Sequence, residues 1–190
     1  GWDGVYVPMP VEGSYESFKA TVLSLIDHED LNFAGASVTI PHKEHLLQIE
    51  EYQWAKPGAA FQCTPCVDWI GAANTLALGV QHSISPPPAI GVIDNTDYTS
   101  IDEICKHYFS NLKHGTPNHQ SRPQALVIGA GGVAKAAVCT LVQLGFDVSV
   151  NARTQSRAKR MVQDYRRWYE ENGPERYGKT EVIESDSVKT

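Results

Sequence analysis

The sequence predicts an α/β protein in two lobes, and three observations carry that expectation. Apolar runs of strand length alternate with segments of helical spacing along the chain. The run Ala125-Leu126-Val127-Ile128 is apolar throughout, as expected of a parallel strand covered on both faces, and leads straight into Gly129-Ala130-Gly131-Gly132. Before it lies a polar stretch, Lys113 to Gln124, with the composition of a domain junction.

In chain order, Val5 to Pro8 alternates between prolines, which predicts a short strand. Ser14 to Asp27 carries Phe18, Val22, Leu25 and Ile26 at helical spacing, with Ser14 as N-cap. A second strand is expected over Phe33 to Ile40, closed by Pro41, and a helix over Lys43 to Tyr52 with Leu46, Leu47 and Ile49 turned inward. A loop containing Cys63 and Pro65 precedes a strand-like run from Ile70 to Leu78. Ser85-Pro86-Pro87-Pro88 can only be loop. Ile90 to Ile93 reads as strand and Thr99 to Leu112 as helix. After the strand at Ala125 a helix runs through Leu144, Gly145 ends it, and Phe146 to Val150 makes the next strand. A charged helix is expected over Thr154 to Glu170. The boundaries are therefore 1–112 for the first lobe, 113–124 for the junction and 125–190 for the second.

With 190 residues, 42% of them hydrophobic, the chain can bury a core without disulfide staples. A formal charge of -6 argues against a nucleic-acid partner, and no apolar run reaches the length of a membrane span. Gly1-Trp2-Asp3-Gly4 shows no signal or transit peptide. Cys63, Cys66, Cys105 and Cys139 are too scattered for a disulfide framework, so thiols in a cytosol-like compartment are expected. Cys63-Thr64-Pro65-Cys66 lacks the second ligand pair of a zinc site. Placed in a loop, it also lacks the strand-to-helix setting of a redox motif, and is expected to be incidental. No metal site is predicted.

Chemistry is concentrated in a few places. In Gly129-Ala130-Gly131-Gly132-Val133-Ala134 glycine at the first and third places lets the chain turn tightly and lets backbone approach a pyrophosphate. Ala134 allows close helix–strand packing, and the helix that follows offers its positive N-terminus. A buried strand before the loop and a helix after it make this a Rossmann-like dinucleotide site. An NAD domain places an acid at the end of the next strand. This chain instead has Asn151-Ala152-Arg153-Thr154-Gln155-Ser156-Arg157, whose two guanidiniums and Thr154 hydroxyl suit the 2'-phosphate of NADP. Upstream, Lys43 follows one strand and Asp97 ends another. Residues at carboxyl ends of strands in an open α/β sheet face the ligand crevice, where a Lys and an Asp can trade a proton with a substrate hydroxyl. By spacing alone Lys43 is equally a solvated surface lysine.

Phe33-Ala34-Gly35 with Ser37-Val38-Thr39-Ile40-Pro41-His42-Lys43-Glu44 resembles the signature of the shikimate dehydrogenase family. Ile70-Gly71-Ala72-Ala73-Asn74-Thr75 resembles the family's second motif and Asn95-Thr96-Asp97 its third. The glycine loop resembles its fourth, and Arg153 to Arg157 its NADP clamp. The resemblance implies an α/β substrate-binding lobe followed by a Rossmann-like NADP-binding domain. It also implies NADPH-dependent reduction of 3-dehydroshikimate to shikimate in aromatic amino-acid (chorismate) biosynthesis. Lys43 and Asp97 match the catalytic pair; Thr39, Asn74 and Asp97 match groups that hydrogen-bond substrate hydroxyls. Gly129, Ala130, Gly131, Gly132, Val133 and Ala134 match the pyrophosphate loop, and Asn151, Arg153, Thr154 and Arg157 the cofactor's 2'-phosphate end. Tyr98 after Asp97 resembles the form fused to a dehydroquinate dehydratase in plants, which implies a plastid location where the plant type applies and a cytoplasmic one otherwise.

The chain departs from the family pattern in lacking the first strand–helix unit and the second half of the nucleotide domain, so both lobes are expected to be truncated. Ser100 stands where the family usually has glycine, and Ala152 is an extra residue before Arg153. His42 and Glu44 are expected to be scaffold. Two alternatives share the motifs: a quinate or quinate/shikimate dehydrogenase, and a quinate-pathway repressor that uses the same fold to sense a ligand.

Overall fold

The computed structural model describes residues 4–49, 60–79, 89–110, 122–172 and 178–183. The first part of the chain contains α1 (Tyr15–Asp27), β1 (Gly35–Ser37), α2 (His45–Gln48), β2 (Ala60–Cys63), α3 (Pro65–Ile70), β3 (Thr75–Leu78), β4 (Ala89–Asp94) and α4 (Thr96–Ser110). Its four strands form one sheet in the order β1-β3-β4-β2, antiparallel except for the parallel pair β2 and β4. Ser14 caps α1, its hydroxyl accepting from the Ser17 N–H at 3.2 Å. Phe18 and Val22 of α1 are buried with Leu46, Ile49, Phe61, Val67, Leu76 and Ile93, the core of this half. Each large side chain buried there contributes roughly 1.5–3 kcal/mol.

The second part contains β5 (Gln124–Ile128), α5 (Gly132–Gln143), β6 (Asp147–Asn151), α6 (Gln155–Asn172) and β7 (Thr180–Val182). Its three strands are all parallel in the order β5-β6-β7, the start of a doubly wound sheet. Val138, Cys139 and Val142 of α5, Val148 and Val150 of β6, and Met161, Val162 and Tyr165 of α6 form its core. Ile70 and Ala72 from the first part are buried in that same cluster, with Trp69, Tyr98 and Phe109 packed against it. The Tyr98 hydroxyl of α4 donates to Gln143 Oε1 of α5 at 2.7 Å. The two sheets therefore meet through α3, α4 and α5.

Several sequence expectations need correcting. Val5 to Pro8 is not a strand: Val5, Tyr6 and Val7 are exposed, and among the described residues no strand pairs with them. Strand β1 is three residues long rather than eight, because β3, its only neighbour among the described residues, pairs with Gly35 to Ser37 alone. Within Lys43 to Tyr52 the α-helix is His45–Gln48, and residues beyond 49 lie outside the described set. Ile70 is not in a strand but ends α3, closed by Gly71 in the left-handed region at φ 63°. Helix α3 begins at Pro65 after Thr64 in extended conformation, so the Cys63–Cys66 motif spans a strand-to-helix junction after all. Helix α4 starts at Thr96, before the expected Thr99, because Asn95 Oδ1 accepts from the Tyr98 N–H at 3.1 Å. Strand β5 is not covered on both faces, since Leu126 and Ile128 are 49% and 80% exposed. The expected loop at Ser85 to Pro88 and most of the expected junction fall outside the described residues.

Candidate active site where the two sheets meet

The Lys43 ammonium donates to Asp97 Oδ2 at 2.5 Å, and the two side chains are 13% and 25% exposed. Lys43 comes from the turn after β1, which Pro41 opens and in which the His42 N–H bonds the Thr39 carbonyl at 2.8 Å. The Lys43 carbonyl accepts from the Ala73 N–H at 2.8 Å, fixing that turn to the segment before β3. Asp97 lies in the first turn of α4, fixed by two buried asparagines. Asn95, fully buried, donates from Nδ2 to the Ala72 carbonyl at 2.8 Å while capping the helix. Asn74 Oδ1 accepts from the Thr96 N–H at 2.9 Å, the Thr96 hydroxyl at 3.1 Å and the Thr75 hydroxyl at 2.9 Å. That leaves the Asn74 amide nitrogen as the part not engaged in holding the turn.

His42 is buried and stacked on Phe18 with ring centroids 4.6 Å apart. Its Nε2 faces the Val11 carbonyl at 3.3 Å and must carry the proton, so its Nδ1 accepts from His45 Nδ1 at 3.0 Å. It therefore packs the turn rather than facing a ligand. Glu44 pairs with Lys135 Nζ at 2.9 Å, and Lys135 also donates to the Gly71 carbonyl at 3.3 Å. The sequence reading missed Lys135 and the roles of Asn95 and Thr96 in holding the turn; the Asn and Thr ahead of a helix were a capping signal, while nothing local marks Lys135.

The glycine loop lies against this pair. A Cβ on Gly132 would stand 2.9 Å from Lys43 Cδ and 3.3 Å from Lys43 Cβ, so the first residue of α5 touches the lysine stem. Gly129 has φ 127°, a conformation that favours glycine, and its N–H bonds the Asn151 carbonyl at 2.7 Å. A Cβ there would meet Ala134 Cβ at 3.6 Å, an ordinary contact, so backbone conformation rather than space favours glycine at 129. Gly131 differs: a Cβ would meet nothing within 4 Å, so protein packing does not demand glycine. Open space in front of a helix of twelve residues suits a phosphate held by backbone N–H groups. Ala130 packs toward the core and Val133 is exposed beside the loop.

At the end of β6, Asn151 Nδ2 donates to the Ile183 carbonyl at 3.3 Å and Ala152 is buried. Arg153 and Arg157 are exposed, and among the described residues neither has an acidic partner. The Thr154 carbonyl accepts from the Arg157 and Ala158 N–H groups, starting α6 between the two arginines. Thr39 is exposed. Lys43, Asp97 and Gly132 thus form one cluster, with the arginines at the neighbouring strand end. No group of described residues could hold a metal ion, and no described helix is long and apolar enough to cross a membrane.

A mixed α/β sheet joined through helices to a parallel sheet with a glycine-loop crossover defines an α/β protein with a Rossmann-like second part. No protein-family model matches the chain. It is 32% identical over 167 residues to the NADP-dependent shikimate dehydrogenase of Ruegeria sp. strain TM1040, covering 87% of this chain and 50% of that protein. It resembles the crystal structure of Mycobacterium tuberculosis shikimate dehydrogenase with a TM-score of 0.56 at 27% identity, covering 90% of this chain and 50% of that one. The Aquifex aeolicus shikimate dehydrogenase, at 21% identity and a TM-score of 0.59, has the same fold over 90% of this chain and 49% of its own. Over most of its length the chain is similar to shikimate dehydrogenases, and it spans about half the length of the curated relatives it matches.

Proposed function

We propose that this chain supplies the catalytic pair and the cofactor loop of an NADP-dependent shikimate dehydrogenase, reducing 3-dehydroshikimate to shikimate. The observation that carries this is the Lys43–Asp97 pair at 2.5 Å with Gly132 of the glycine loop against the lysine stem. NADPH, when bound, supplies the hydride. The glycine loop and the N-terminus of α5 hold the pyrophosphate, and Arg153 and Arg157 the 2'-phosphate. An acid is missing from the end of β6, where NAD selectivity would need one.

In the reduction, Lys43 Nζ gives its proton to the carbonyl oxygen as negative charge develops there. Asp97 Oδ2 keeps the ammonium aimed and its charge balanced, while Oδ1 accepts from a substrate hydroxyl. The Asn74 amide nitrogen and the Thr39 hydroxyl bind the remaining hydroxyls. The division into a substrate lobe over 1–112 and a cofactor lobe from 125 is part of this reading, supported by the two separate sheets. A dehydroquinate dehydratase domain in the same polypeptide is its furthest extension, and the complete reading frame decides it.

The test is steady-state NADP reduction by the complete gene product with shikimate and with quinate, alongside direct binding of each. Lys43→Ala is expected to lower kcat by about 10²–10⁴-fold with binding nearly intact, because a proton donor acts mainly in the transition state. A near-normal kcat in that variant would reduce Lys43 to a surface lysine. Binding of shikimate or quinate without any NADP reduction by the wild type would favour a ligand sensor.

A further inference from the structure

Lys135 binds neither substrate nor cofactor in the proposed reaction, yet its ammonium ties the cofactor helix to the turn that carries the proton donor. It is the fourth residue of α5, and its N–H bonds the Gly131 carbonyl of the glycine loop at 2.9 Å. Its Nζ reaches two acceptors in the first part of the chain, Glu44 Oε1 at 2.9 Å and the Gly71 carbonyl at 3.3 Å. Glu44 directly follows Lys43, and Gly71 opens the segment that ends at Asn74. Other bonds brace that segment: Asn95 Nδ2 on the Ala72 carbonyl, the Ala73 N–H on the Lys43 carbonyl, and the Val38 N–H on the Asn74 carbonyl at 2.7 Å. Gly132 and Lys135 are three positions apart and so share a face of α5. The first lies against the Lys43 stem and Ala72, and the second holds the residue next to each.

We propose that Lys135 is a positioning residue for the reduction: by bridging Glu44 and Gly71 it fixes the Lys43 turn against the first turn of α5, so that proton donor and cofactor loop keep one spacing. The inference rests on the reading of Lys43 as that donor and deepens it.

Geometry rather than charge carries the effect. The Lys135 side chain is 19% exposed but that of Glu44 48%, so their attraction is screened from one side; what remains is one ammonium shared between two segments. Lys43 Nζ works as negative charge develops on the carbonyl oxygen, where a displacement of about 1 Å costs ~10²-fold in turnover. Ground-state contacts do not pass through Lys135. Asn74 keeps its backbone bonds to Val38 and Asp94, and the N–H groups of the glycine loop remain where α5 begins. Loss of the Lys135 ammonium is therefore expected in kcat rather than in affinity.

The complete gene product is assayed for NADP reduction with shikimate, and binding of each is titrated directly. Lys135→Met keeps the reach of the side chain without its donors; kcat is expected to fall about tenfold, with both dissociation constants within about twofold of wild type. The isotope effect on kcat from shikimate deuterated at the carbon that yields hydride should be at least as large as in the wild type, because the slowed step is chemical. Lys135→Arg should restore kcat to within about twofold, since a guanidinium can serve both acceptors and a cavity of about 310 Å³ beside Lys135 and Gly71 gives it room. Glu44→Gln should lower kcat about threefold, and the double variant no further than Lys135→Met alone, as expected of groups acting through one contact. Glu44→Gln also carries the test should Lys135→Met not fold. A near-normal kcat in Lys43→Ala overturns the proton-donor reading and this inference with it. Where Lys43→Ala does lose turnover, a normal kcat in Lys135→Met or Glu44→Gln, equal losses of kcat and affinity, or no recovery in Lys135→Arg would overturn this inference alone.

Discussion

Gly131→Ala and Gly132→Ala differ by one position in the same loop, and the structure predicts opposite consequences. At Gly132 the new methyl would stand 2.9 Å from Lys43 Cδ, 3.3 Å from Lys43 Cβ and 3.5 Å from Ala72 Cβ. Carbon atoms prefer separations of about 3.5–4.0 Å, so the lysine stem must retreat by roughly half an ångström or more. Its Cβ cannot retreat without the backbone of Lys43, which the Ala73 N–H holds at 2.8 Å. Overpacking of this kind costs about 1–3 kcal/mol, offset by roughly 0.4–1 kcal/mol from restricting the unfolded chain. A net loss of about 1–2 kcal/mol in urea denaturation is expected, with Lys43 displaced from Asp97. At Gly131 the backbone has φ -95° and ψ -176°, which alanine adopts freely, and its methyl meets no protein atom within 4 Å. Stability should change by no more than about 0.5 kcal/mol. That methyl occupies the approach to the helix N-terminus, so NADP affinity by titration should fall about tenfold or more, or roughly 1.4 kcal/mol. Unchanged stability in Gly132→Ala would show that the lysine stem does not rest on the loop. Unchanged NADP binding in Gly131→Ala would remove the pyrophosphate from it.

Two further outcomes are expected. Arg153→Ala should weaken NADP binding by about tenfold or more, as loss of a charge-assisted contact worth roughly 1.5–3 kcal/mol requires, and leave NAD binding unchanged; equal losses in paired titrations would remove the arginine as discriminator. Burial pushes the Cys139 thiol from 9.0 up to about 12. The unfolded chain therefore releases this proton first, and stability present below pH 9 is lost as pH rises toward 12, by at most about 1.4 kcal/mol per pH unit. Cys139→Ala should flatten the alkaline slope of denaturation midpoints, whatever its own cavity costs; a parallel slope would assign the alkaline loss to other groups.

The sequence was most informative where a local rule and a tertiary need coincide. Ser14 as cap and Gly145 after α5 each follow from short-range chemistry, and the chain folds accordingly; the apolar run before Gly129 is a strand, though not one covered on both faces. Lys43 and Asp97 are 54 positions apart, and strand-end placement alone left Lys43 as readily a surface lysine; the family motifs singled it out. What failed was partnership. Alternation at Val5 to Pro8 identifies a face but not a neighbour to pair with. Six residues of helix at Pro65–Ile70 are too few to show a period, and proline at the first helical position resembles a loop signal. Asn74 was expected to serve substrate, and nothing in its own neighbourhood indicated that its carbonyl oxygen also holds Thr96.

The uncovered strand β5 has a practical consequence for handling the chain. Leu126 and Ile128 project from the last strand of a three-stranded sheet whose outer backbone groups have no strand beside them among the described residues. Such a rim is a template on which a second molecule can lay its own strand, and side chains of this kind make that contact favourable. A formal charge of -6 opposes the encounter at low ionic strength, and added salt weakens that repulsion. Self-association by this rim is expected to rise with added salt, and Ile128→Lys is the smallest change that would oppose it.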